Sequence, residues 1–285
     1  MKTRILFPTL VLLAAAALTG CSKEPTRPVS TPAAQAPSLP PAETMQFDFS
    51  FFEPGARLAA DRSALEGSTA AQSKSNWINA AVRVAFINLM VADAFAPPTL
   101  AFQAAIHTRP VLQPDGWFLW TYVWSDTGAH QVTVRLRGRV DGALVTWQLR
   151  VSDNQAAPPV NDFLWFSGQS RITNESGYWV FNELKEGNEV EVARIDWINR
   201  ALNDRELAFT NIKAGTPDQG DRLTYKVAGA IVSVLFHDQS ESRDADITWN
   251  RIAGSGSLLV PDYNNGERAC WDERQENMVC PPTAL

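Results

Sequence analysis

Trp120, Tyr122 and Trp124 fall on alternate positions of one predicted strand, and Trp165 and Trp179 fall on later ones. Large flat rings gathered on one face could hold a sugar or another apolar ligand. The same rings could instead fill the space between a sheet and a helix. Most of the ten tryptophans share a face with other apolar residues, which favours the packing role. Arg135, Arg137 and Arg139 alternate along a second strand with Arg150 beside them, a row able to hold phosphate or sulfate through charge-assisted bonds. In an acidic chain, a solvated strand face is the plainer account of that row.

No spacing for catalysis or metal binding stands out. His107, His130 and His237 are far apart, and the chain has no His-Glu-x-x-His helix, no Walker-type loop and no Gly-x-Ser-x-Gly elbow. Asp238, Glu241, Asp244 and Asp246 cluster beside His237, and the stretch from Asp262 to Glu267 has the composition of a calcium loop. Neither has the ligand order such a loop needs. The expectation is a chain with no catalytic set, no metal and no cofactor.

Cys21 closes the quartet Leu18-Thr19-Gly20-Cys21, behind a leader with Lys2 and Arg4 at its start and an apolar run from Ile5 to Leu18. That run contains Pro8 and is shorter than the ~20 residues a spanning helix needs. These positions resemble the processing signal of bacterial lipoprotein precursors. The resemblance implies cleavage between Gly20 and Cys21, a diacylglycerol thioether on Cys21 and an acylated new amino terminus. Several acyl chains hold a protein to a membrane where one gives marginal binding. A cell-envelope protein is therefore expected, at the outer membrane because Ser22 and not Asp follows the cysteine.

The net charge of −6 becomes −8 once Lys2 and Arg4 leave with the leader, which argues against nucleic acid as a partner. Residues 1–20 thus form the signal peptide. Residues 21–45, rich in Pro, Ala and Ser, read as lipid anchor and semi-rigid spacer, and 46–285 as a single domain. Cys270 and Cys280 are the cysteines that remain. In the oxidising compartment implied by the leader they are expected to form a disulfide.

Within the domain, Arg57 to Glu66 reads as a short helix stopped by Gly67, and Ser75 to Phe95 as a long one ended by Pro97-Pro98. Apolar residues cover most of the longer helix, so other structure must wrap it. From about Trp117 the period changes to two. Asp141-Gly142 predicts a two-residue turn that pairs Val140 with Ala143, Leu136 with Trp147 and Val134 with Leu149. Further short strands follow on short, turn-rich links, from Phe163–Ile172 to Leu258–Val260, which implies an antiparallel meander. The expected fold is mainly β: a strongly curved sheet or half-barrel around the long helix, with a closed barrel as the alternative. Its shape is like that of envelope lipid-carrier lipoproteins, by analogy alone. Three functions follow in order: a non-enzymatic binding or structural module, a carrier of lipid or another hydrophobic ligand, and a hydrolase of glycan or ester. A hydrophobic or glycan ligand is the expected partner besides the membrane.

Overall fold

The computed structural model describes residues 35–54, 73–125 and 131–282. The region from Arg57 to Glu66 lies outside them, as do Gly20, Cys21 and His130. The domain is mainly β, a single antiparallel meander of fourteen strands among the described residues, each paired with its neighbours in sequence. The strands are β1 (Val111–Leu112), β2 (Phe118–Ser125), β3 (Gln131–Asp141), β4 (Leu144–Asp153), β5 (Val160–Arg171), β6 (Ser176–Lys185) and β7 (Asn188–Ala201). They continue as β8 (Asp204–Asn211), β9 (Arg222–Ala228), β10 (Ile231–Asp238), β11 (Arg243–Asn250), β12 (Gly256–Leu259), β13 (Ala269–Trp271) and β14 (Asn277–Met278). Strict alternation along β3 and β4 buries Val134, Leu136, Val145, Trp147 and Leu149, and turns the arginine row outward.

The long helix, α1, runs from Ser75 to Ala104 and does not stop at the two prolines. Proline normally breaks a helix interior by removing a donor and crowding the preceding turn. Here the last turns are held from outside: Ala101, Phe102 and Ala105 are buried, and Phe102 packs against Phe166 and Trp179. At its other end α1 meets β13 and β14, where Asn76 Nδ2 donates to the Cys270 carbonyl at 2.7 Å. Near its end the Ala101 carbonyl accepts the Tyr122 hydroxyl of β2 at 2.6 Å. A 30-residue helix is about 45 Å long, so α1 lies across the strands and touches both halves of the sheet.

That placement corrects the expected half-barrel. The sheet is neither closed nor strongly curled, and β1 and β14 are its free ends. The two ends of α1 are covered by separate sets of strands, β12 to β14 at its start and β2, β5 and β6 at its end, so no one stretch of sheet has to curl around it.

The β3–β4 turn also differs from expectation. Asp141 pairs with Leu144, so Gly142 and Ala143 form the loop, and Trp147 faces Gly138 where Leu136 was expected. Gly142 has φ +59° and takes the first central position, as a type II′ turn requires. The shift moves each partner by two residues and so leaves both faces unchanged.

Tryptophan-on-glycine pairs recur across the sheet. Trp147 lies between Gly138 and Gly168, Trp179 faces Gly168, Trp197 faces Gly177, and Trp271 faces Gly256. In four of these five pairs, all but Trp147 with Gly168, the indole occupies the place of the missing side chain: a Cβ on Gly138 would stand 2.7 Å from Trp147, and one on Gly177 2.6 Å from Trp197. The rings thereby reach across a strand and fill the layer beneath α1.

Residues 35–45, expected to belong to the spacer, pack onto the domain instead. Thr44 is buried and its hydroxyl accepts the Trp179 indole N–H at 3.1 Å, while the Leu39 carbonyl accepts from Asn174 Nδ2 at 3.2 Å. The next stretch docks through aromatics. Phe47 and Phe49 set their edges against Tyr225, and Phe52 packs on Trp249 and Trp271.

Candidate functional site

The five aromatic residues proposed as a ligand platform are not presented together. Trp120 and Trp179 are buried in the core under α1, and the Tyr122 hydroxyl is committed to α1, where burial pushes its phenol well above the usual range. Trp165 is half-buried at the β4–β5 bulge, and the side chain of Trp124 lies outside the described residues.

The arginine row does come together on the outer face, but acids meet it there. Arg135 pairs with Asp162, Arg137 Nη2 with Asp115 Oδ2 at 2.6 Å, and Arg150 Nη1 with Glu189 Oε1 at 3.3 Å. The Arg139 guanidinium stands 5.0 Å from the Trp117 ring centroid, and that of Arg137 stands 4.6 Å from it. A phosphate would have to displace carboxylates from three of the four arginines.

Acids of the acidic loop and of the calcium-like stretch are likewise paired. His237 Nδ1 lies 2.7 Å from Asp244 Oδ1, Asp246 pairs with Arg268 at 2.5 Å, and Arg83 Nη2 bonds Asp262 Oδ1 at 2.8 Å. Among the described residues no cluster of three or more His, Cys, Asp or Glu could hold a metal. Arg83, Asp262 and Asp244 line a cleft of about 380 Å³ between α1 and strands β10 to β12, beside the exposed Phe86.

The Arg83–Asp262 pair has a pH signature. The guanidinium holds the Asp262 carboxyl below the usual carboxylate range. A lowered value in the fold means that the pair stabilises the native state above the unfolded aspartate value of about 3.9, and that this contribution disappears as pH falls through the lowered one. Arg83→Met should therefore lose more stability relative to wild type at about pH 7 than at about pH 2, by no more than ~1 kcal/mol for so exposed a pair. Urea unfolding at the two pH values measures this, and an equal loss at both would contradict it.

A second cleft, of about 600 Å³, opens where α1, residues 43–48 and the turns at one end of the sheet meet. The size falls within the range of small-molecule sites. Tyr225 on β9 organises one wall. Its hydroxyl donates to the Asp48 carbonyl at 3.3 Å, and the Arg205 guanidinium of β8 stands 5.9 Å from its ring centroid. Burial pushes the Tyr225 phenol upward, while the positive charge of Arg205 opposes that shift. Arg251, on the β11–β12 turn, is braced by Asn203 Oδ1 at 2.7 Å and the Gly229 carbonyl at 2.8 Å.

The charges of this cleft are separated. Arg205, Arg251, Glu43 and Asp48 all line it, and among the described residues none forms an ion pair. Elsewhere Arg83, Arg135, Arg137, Arg150, Arg194, Arg200, Arg243 and Arg268 each meet a carboxylate, while Arg109, Arg139, Arg171, Arg222 and Arg274, all exposed, form no ion pair among the described residues. Two buried polar atoms of the lining residues also lack partners: the Thr99 hydroxyl, on a residue 3% exposed, and Arg205 Nε. An unpartnered buried polar group costs about 1–3 kcal/mol, and among the described residues the others are Trp77 Nε1, Trp197 Nε1 and Asn174 Oδ1, each away from this cleft. Met45, Phe47, Val91 and Leu100 supply apolar surface between them.

None of these cleft residues was singled out from sequence. One signal was present: Met45, Phe47, Phe49 and Phe51 alternate with Gln46, Asp48 and Ser50, a half-buried period-two pattern at the expected end of the spacer. The arginines offered none, because Arg205 and Arg251 are 46 positions apart and only the hairpin ends bring them together. Compared with family models, with curated proteins and with solved structures, the chain matches none.

Proposed function

We propose that this chain is a lipid-anchored cell-envelope protein whose domain works as a non-catalytic binding module. The observation that carries the reading is the quartet Leu18-Thr19-Gly20-Cys21 behind its charged, apolar leader. Lipid on Cys21 would tether a compact unit that begins at Gln35, leaving a short Pro-containing link between membrane and fold. Ser22 supports the outer membrane as the destination. The cleft with unpaired charges supports binding as the domain's work.

The carrier reading has less support. It calls for an apolar cavity between sheet and helix, and that layer is filled by Trp77, Trp147, Trp179, Trp197, Trp249 and Trp271. For a hydrolase, His237 and Asp244 form the one His–carboxylate pair among the described residues, and no serine, threonine or cysteine bonds to that histidine.

Cys21→Ala tests the anchor. Fractionation of the source bacterium should find nearly all of the variant outside the membrane fraction, with the wild type retained in it and heavier by its acyl groups in intact-mass analysis. A variant that stays with the membrane, or a wild type without added mass, would end this reading.

A further inference from the structure

We propose that the cleft at the end of the sheet binds a small zwitterionic amphiphile, a short apolar peptide with free termini. The inference rests on the binding-module reading and adds the ligand's chemistry. Arg205 and Arg251 both line the cleft, and among the described residues neither forms an ion pair with a carboxylate. Planar guanidinium forks match a carboxylate through paired N–H bonds. The Thr99 hydroxyl, buried and unpartnered, is a further donor on the same lining.

Glu43 and Asp48 make a simple anion a poor occupant. Both line the cleft as acceptors, and one oxygen of Asp48 is already taken by the Ser50 N–H and hydroxyl at 3.1 and 2.7 Å. Two cations and two anions that share a cleft without pairing suit a ligand that carries both charges. A peptide's ammonium would face Glu43 and Asp48 while its carboxylate faces the arginines. Val91 and Leu100 on α1, with Phe47 opposite, would hold apolar side chains between the two ends. A quaternary ammonium would call for an aromatic cage, and Phe47 is the single aromatic residue of the lining.

The test is calorimetric titration of the detergent-solubilised full chain with Leu-Leu-Leu, N-acetyl-Leu-Leu-Leu and Leu-Leu-Leu-amide. The free tripeptide should bind saturably at one site, and each blocked form about tenfold or more weaker, since each loses one charge-assisted contact. Arg251→Gln and Leu100→Asp should weaken the free peptide to a similar extent, Leu100→Asp with no change in Tm because Leu100 is 52% exposed, and Arg251→Gln with only the small fall in Tm that follows from losing its bonds to Asn203 and the Gly229 carbonyl. No saturable binding up to about millimolar, the weak limit for a specific contact, overturns the proposal. Equal binding of the three peptides does so too, and so does capture of the headgroup of short-chain phosphatidylethanolamine in place of the peptide. Failure of the anchor is read separately: Cys21→Ala retained in the membrane with peptide binding intact sinks only the localisation. Loss of peptide binding in an anchored protein sinks only this ligand.

Discussion

Gly168→Ala should lower stability by about 3 kcal/mol, which for a domain of this size moves Tm down by about 6 to 12 °C. The added methyl would meet the Tyr178 carbonyl oxygen and the Trp179 ring at once, both closer than real contacts allow. A ring can tilt, but a carbonyl inside a paired strand cannot. Gly116→Ala is the control. Nothing stands within 4 Å of its would-be Cβ, so the change carries only the backbone strain of φ +81°, about 1–2 kcal/mol. Pairing Gly168→Ala with Trp179→Ala separates the two clashes, because removing the ring leaves the carbonyl in place. The double variant should thus remain less stable than Trp179→Ala alone. A Gly168→Ala protein as stable as wild type in thermal unfolding would show that the indole does not lie over that glycine.

Removing the Cys270–Cys280 bond should cost about 2–3 kcal/mol, the chain-entropy value for a link between residues ten apart. Both a Cys270→Ser, Cys280→Ser protein and the wild type under reductant should show it as a lower denaturation midpoint. The loss should also have an address. The link holds β14 against β13, and Asn277 of β14 caps α1 from two hundred positions away: its Oδ1 accepts the Asn76 N–H at 2.9 Å and its Nδ2 donates to Ser75 Oγ at 2.9 Å. Lys74, at the N-cap position, offers no side-chain bond to the first turn. Hydrogen exchange at the start of α1 should therefore quicken in the reduced protein, while the β3–β4 hairpin keeps its protection. Unchanged midpoints would mean that the tail is held without the bond.

Much of the sheet could be read along the chain because period two is local. The expected strands from Phe163 onward coincide with β5 to β12 to within a few residues at their ends, and the inner and outer faces of β3 and β4 came out as expected. The misses share a cause. The register of the β3–β4 turn was settled by which position needed a positive φ and by a cross-strand glycine under Trp147. The length of α1 was settled by Phe102 packing on β5 and β6, which outweighed two prolines. The strands β1, β13 and β14 are two or three residues each, too short to show a period.

By itself the chain's sequence determined the alternation that makes an antiparallel meander and the cysteine pair that closes its end, and it carries the quartet Leu18-Thr19-Gly20-Cys21 on which the proposed anchor rests. All three are set by neighbours or by simple counting. Only the tertiary structure decided that Trp147, Trp179, Trp197 and Trp271 lie on glycines in the core, that acids neutralise three of the four arginines of the outer row, and that Arg205, Arg251, Glu43 and Asp48 meet in one cleft without an ion pair among the described residues. The physical reason is that pairing and burial depend on which distant strand ends and helix turns come within a few ångströms, and no local pattern encodes that distance.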